Sequence, residues 1–294
     1  TLIGTGNITV AGNVNGSGGI NLTGGSFEQR IASNKGFGTG QGATPSWTFN
    51  NLIFSNSATD TSLSILASNT SPQNIIITGN LQIGKSGDDA TGVGSPTTLE
   101  AGGLTWTLSN TGTPMTILSS PQGVLSAGSF STFSYTGLSP AITPATYKDL
   151  IINGSGTATI GGATVVNATM TVSSAVTNNS TLTVTGALSG AGTLTQGFGA
   201  TLNIGGTSSI TGLTATVSTN TIIYTGASQA IKATTYDSLT INGSGTATIG
   251  GATIVNATMT VSSPVTNNSF LIVSGALNGI STFTNGATGS LNID

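Results

Sequence analysis

Gly154 to Ser174 reads GSGTATIGGATVVNATMTVSS, and Gly243 to Ser263 reads GSGTATIGGATIVNATMTVSS; Val165 against Ile254 is the single difference. The 89-residue offset holds upstream at Tyr135-Thr136-Gly137 and Tyr224-Thr225-Gly226, then at Tyr147 and Tyr236. Downstream it runs to Leu202-Asn203-Ile204 and Leu291-Asn292-Ile293. Two copies therefore occupy 123–211 and 212–294. The stretch 1–122 holds a degenerate echo, in which Phe49-Asn50-Asn51-Leu52-Ile53-Phe54 parallels Tyr147-Lys148-Asp149-Leu150-Ile151-Ile152. A long internal repeat of this kind signals one supersecondary unit stacked on itself.

Inside the copy the period is two. Thr157-Ala158-Thr159-Ile160, Thr169-Met170-Thr171-Val172 and Thr181-Leu182-Thr183-Val184 place apolar residues on one face and Thr on the other, as in a half-buried strand. Gly-Gly, Ser-Gly, Asn-Gly and Asn-Asn pairs between them supply turns. Strands this short, with turns every 8–12 residues and a sequence that repeats, point to an all-β parallel β-solenoid rather than a sandwich. The reading is one continuous solenoid: degenerate rungs with loop insertions over 1–122, then copy one and copy two. Dividing the repeat into four gives roughly 22 residues per rung and about 13 rungs. Ala158, Ile160, Met170, Val172, Leu182 and Val184 are expected to point inward, with their 89-offset partners on the same face four rungs later. The Thr-x-Thr pairs recur every 12 residues from Thr157. A 24-residue rung would stack Thr157/Thr159 on Thr181/Thr183 and put Thr169/Thr171 on another face.

Composition excludes much chemistry. The 294 residues include 44 Gly and 54 Thr but only 4% charged residues, no His and no Cys, with a net charge of -3 and a mean hydropathy of +0.25. Cys/His zinc sites, thiol nucleophiles and Ser-His-Asp triads are impossible. Arg30, Lys35, Lys85, Lys148 and Lys232 are scattered singly and cannot neutralise a run of phosphates, so no nucleic-acid partner is expected. No apolar run approaches a membrane span. The start at Thr1, without Met or a leader, reads as a processed chain or a piece of a longer one.

The phrase Tyr-x-x-Leu-x-Ile-x-Gly-Ser-Gly-Thr-x-Thr-x-Gly-Gly-x-Thr, followed by Met-Thr-Val-Ser-Ser, resembles repeats of bacterial cell-surface and secreted parallel β-helix proteins of the autotransporter-passenger and filamentous-adhesin types. The match covers 123–294, with looser ones at 5–25 and 47–55. The resemblance implies a right-handed β-helix, an extracellular or cell-surface location and a structural or adhesive role, including in biofilm. It carries over no catalytic residue.

Four constellations remain. Asp88-Asp89 is the one acidic pair; it reads as a solvated loop before a Ca²⁺ site or a sugar-cleaving pair. Trp47, Phe49, Trp106, Phe133, Tyr135 and Tyr147 read as core packing before a platform for cell-surface glycans. Outward Thr reads as β-propensity and hydroxyl ladders before an ice-binding array. Segment 28–46, with Gln29-Arg30 and Lys35, breaks the alternation and reads as a loop or strand-poor insertion. No catalytic residue, cofactor or metal is expected.

The expected function is therefore structural: a subunit of an extracellular fibre, assembled head to tail as a homopolymer by end-to-end stacking or strand exchange. The alternative is a segment of a long adhesin stalk; a carbohydrate-binding or carbohydrate-cleaving β-helix is more remote. Both ends look uncapped, so the interface residues are expected to be Leu2, Ile3, Ile8 and Val10 at one end and Phe283, Leu291 and Ile293 at the other.

Overall fold

The computed structural model describes residues 1–38, 46–58, 61–68, 73–85, 96–119, 122–128 and 130–294. Among these, every regular element is a β-strand, mostly of two to five residues, and the strands pair in parallel. The fold is the parallel β-solenoid that period two and the repeat imply. Two compact units emerge, Thr1–Ser155 and Gly156–Asp294.

In the second unit the chain visits three stacks of strands in turn. One side begins at Thr157–Ile160, the next at Thr164–Val166 and the third at Met170–Val172; Ala175–Asn178 then returns to the first. Ala158 pairs with Val176, then Leu194 and Leu213 follow in register. On the second side Val166, Val184, Ile204, Tyr224, Ile241 and Val261 stack in order. The steps are 18, 20, 20, 17 and 20 residues, tighter than the roughly 22 expected. Ala158, Ile160, Met170, Val172, Leu182 and Val184 are all buried, as alternation requires.

The repeat does not return to the same side. Val255, the counterpart of Val166, pairs with Tyr236 and Val273 instead of joining the stack that Val166 begins. Tyr236 in turn bridges Ala215, so Val255 continues the side on which Ala158 and Ile160 lie. Eighty-nine residues thus span four rungs and two sides of a fifth, and the expectation of same-face partners four rungs on is corrected. The physical reason is side length. Each side with its corner takes about six residues, so 12 residues advance two sides and 18 complete a rung. Thr157/Thr159 accordingly align with Ala175/Thr177 and Thr193/Thr195, not with Thr181/Thr183, which lie on the second side. Where Thr235–Ile241 passes from one side to the next, the register slips between Tyr236 and Ser238.

The first unit has the same plan with wider rungs. Leu2 pairs with Ile20 and Asn21 with Thr48; Trp47, Ile75, Trp106, Phe133 and Leu150 then follow in one stack. Its middle steps are 27, 28, 31 and 27 residues. The core there is aromatic. Phe37 stacks on Trp106 at 5.8 Å and Trp106 on Phe133 at 5.9 Å, while Tyr135 and Tyr147 meet edge to face. All six aromatics weighed as a glycan platform are buried.

Segment 28–46 is also corrected. Ile20–Ile31 is a 12-residue strand and Lys35–Phe37 another, with 39–45 outside the described residues. Glu28 and Gln29 find partners on neighbouring strands and corners. Gln29 donates from Nε2 to the carbonyls of Gly12 and Gly36 at 2.9 and 3.0 Å. Glu28 accepts from Ser55 at 2.7 Å and from Lys85 at 2.6 Å.

Candidate subunit interface

Stacking explains what an edge rung exposes. In mid-solenoid each inward side chain has a neighbour above and below about 4.8 Å away. At a first or last rung one neighbour is missing from the unit, and the apolar side chains stay partly wet.

The first rung of the first unit comprises Leu2–Gly4, Ile8–Val10 and the bridge residue Val14. Leu2 lies over Ile20, Ile8 over Phe27 and Val10 over Gln29. Phe27 is buried, whereas Leu2 is 41% exposed and Ile8 and Val10 are half-buried. Ile3 is different: it pairs with outward Asn21 and is 71% exposed, so it belongs to the outer surface and not to the core edge. Leu2, Val10, Val14, Ile20, Phe27 and Trp47 line a cavity of about 340 Å³. Trp47 is anchored beneath it by donating from Nε1 to the Gly18 carbonyl at 2.8 Å. Asn7 and Asn13 use side-chain oxygens to accept from the amides of Ser26 and Gly36, each at 2.8 Å, and so tie this rung to the next.

The last rung of the second unit comprises Ala276–Gly279, Phe283–Asn285 and Ser290–Ile293. Phe283 lies over Val265, Leu291 over Leu271 and Ile293 over Val273; the three lower residues are buried. Ile293 is 54% exposed, and Phe283 and Leu291 are half-buried. Leu277, over Met259, completes the inward set. Reading from the sequence missed it, although its repeat counterpart Leu188 would have revealed it. Asn285 extends a polar ladder to the edge by accepting from Asn267 Nδ2 at 2.9 Å.

Chemical groups elsewhere are sparse. Among the described residues, no three His, Cys, Asp or Glu gather in a metal-binding group, and no helix is long and apolar enough to cross a membrane. Asp88 and Asp89 lie outside the described residues. Glu28 is the notable carboxylate. Burial raises its pKa, but hydrogen bonds from Lys85 and Ser55 and the charges of Lys85 and Arg30 outweigh that, leaving it below the ordinary value. This tie links strand Ile20–Ile31 to Lys85, just after strand Leu81–Ile83. Comparison with protein-family models, curated proteins and solved structures finds no match to this chain.

Proposed function

We propose that the chain is a non-catalytic structural element of an extracellular fibre at the cell surface, lengthened by rung-on-rung stacking between copies. The observation that carries this is the wet apolar edge. Leu2, Ile8 and Val10 in one unit, and Leu277, Phe283, Leu291 and Ile293 in the other, face inward yet remain accessible; all but Leu2, which lies over half-buried Ile20, sit over buried partners. Stacking a further rung buries several hundred Å² of apolar surface, on the order of 10 kcal/mol gross at about 25 cal/mol per Å². Association entropy offsets much of it. A joint that adds a rung without closing a ring gives an open filament. The scarcity of charge, 4% of residues, offers little repulsion against such growth.

A stalk segment within a longer adhesin is the second reading. The tandem repeat favours it, because further copies would cover the last rung as readily as another chain. Sedimentation and electron microscopy of the full chain separate the two. Filaments growing with concentration are expected, and deletion of residues 1–10 or the pair Leu291→Lys and Ile293→Lys should give folded, short particles. A chain that stays monomeric at high concentration, or variants that polymerise normally, would overturn the fibre reading.

A further inference from the structure

The last rung has a covered twin inside its own unit. Residues 276–293 repeat residues 187–204, and the rungs beneath the two match closely. Leu277 rests on Met259 as Leu188 rests on Met170, and Phe283 on Val265 as Leu194 on Val176. Leu291 rests on Leu271 as Leu202 on Leu182, and Ile293 on Val273 as Ile204 on Val184. What differs is the cover. Leu188, Leu194, Leu202 and Ile204 are fully buried, because Ser208, Leu213, Ile222 and Tyr224 pair with them in that order.

We propose that the last rung is an acceptor edge whose partner is a β-rung with the pattern of Thr207–Gly226. Such a rung places a small Ser over Leu277, an aliphatic residue over Phe283, and Ile-x-Tyr over Leu291 and Ile293. The inference rests on reading the exposed rung as a stacking surface, and adds what stacks there and in which register. A variant of the pattern, with Phe for the Ile, occurs once more in the chain. Ser208, Gly212, Leu213, Ile222 and Tyr224 correspond to Ser119, Gly123, Val124, Phe133 and Tyr135. The first rung, Leu2 to Val14, contains no Tyr and is the poorer fit.

The twin also fixes the backbone bonds. Leu188 N–H donates to the Thr207 carbonyl, and the carbonyls of Leu188, Gly190, Ala200 and Ile204 accept from Ser209, Thr211, Thr221 and Thr225, all at 2.9 Å. The equivalent groups in the last rung are Leu277 N–H and the carbonyls of Leu277, Gly279, Gly289 and Ile293. A partner rung therefore meets donors and acceptors already in position for one register. Because each repeat advances by two of three sides, that rung presents its Tyr on the side that carries Leu291, where Val255 and Val273 already stack.

The test extends the full chain. Asp294 corresponds to Gly205, so a second copy of Gly206–Gly226 appended after Asp294 enters in register. Hydrogen exchange should show the Leu277 amide slowed at least tenfold, with the added amides protected. The same extension carrying Leu213→Lys and Ile222→Lys in the appended segment should exchange as the unextended chain does. An unaltered extension that stays unprotected, or a Lys-bearing one that protects equally, would overturn the inference. Polymerisation of the unextended chain is scored separately. Protection without polymerisation sinks the fibre reading and keeps this one; polymerisation without protection does the reverse.

Discussion

A buried amide shows how single residues hold the stack. Asn178 donates from Nδ2 to Gln196 at 2.8 Å and to the Thr201 carbonyl at 3.2 Å, while its Oδ1 accepts from the Ser180 amide at 3.2 Å. Asn267 repeats the arrangement with Asn285, Ser290 and Ser269, all within 3.2 Å. These residues occupy inward positions where alternation calls for an apolar side chain; the Asn is tolerated because every amide group is used. Asn178→Ala strands the buried Gln196 amide and backbone groups of half-buried Ser180 and Thr201, and should cost about 3 kcal/mol. Asn267→Ala should cost distinctly less, because Asn285 and Ser290 are exposed and water replaces the lost bonds. Urea unfolding of the two variants checks the order, and equal midpoints would contradict it.

At the scale of the element, corners limit what the sequence can hold. Gly205, Gly226 and Gly243 follow the strands of the second side, and a Cβ on Gly243 or Gly226 would overlap the carbonyl oxygen of the corner beneath. Gly250 faces open space. Gly243→Ala should therefore destabilise by about 3 kcal/mol as overpacking, and Gly250→Ala should stay within about 0.5 kcal/mol; a denaturant titration in which the two behave alike would refute the corner argument. Strands and corners differ in how legible they were. Alternation in Thr157–Ile160 and Thr181–Val184 displayed the inward set, because strand period is fixed at two. Rung length was hidden, because corners absorb variable numbers of residues and 89 is not a whole number of rungs. The 12-residue Thr spacing held the answer, two sides of three, but is equally compatible with a 24-residue rung. Strand Ile20–Ile31 was hidden because Glu28, Gln29 and Arg30 look like loop residues until Ser55 and Lys85, the partners of Glu28, and Gly36, a partner of Gln29, are in place. Likewise Ile3 looked like core from its type alone, whereas its register against Asn21 turns it outward.

For the molecule as a whole, stability should follow a plateau with two chemically distinct limits. All four tyrosines, Tyr135, Tyr147, Tyr224 and Tyr236, are buried in pairs, with hydroxyls 2.8 Å apart in the first and 3.2 Å in the second. Burial raises every one of their pKa values. Tyr147 and Tyr236, whose hydroxyls donate to the Thr143 and Lys232 carbonyls, rise well above 10, because burial is reinforced by the partner tyrosine's charge and by the hydroxyl–hydroxyl contact. A folded pKa above the unfolded one keeps its full contribution below about pH 10 and loses it as pH rises further, since only the unfolded chain readily forms tyrosinate. Glu28 acts in the opposite sense. Burial raises its pKa, but Lys85, Ser55 and Arg30 more than reverse this, so its contribution is present above the unfolded value of 4.5 and fades as pH falls below it. With no His and few other charges, nothing comparable titrates between these limits. The unfolding midpoint should thus be flat from about pH 5 to 9, fall in acid below about 4.5, and fall in alkali above about 10. Absorbance at the tyrosinate band should rise together with loss of β-structure in circular dichroism. Tyrosinate appearing near pH 10 while the fold persists would mean that the hydroxyl pairs are open to water, and a steep stability change near neutrality would contradict the plateau.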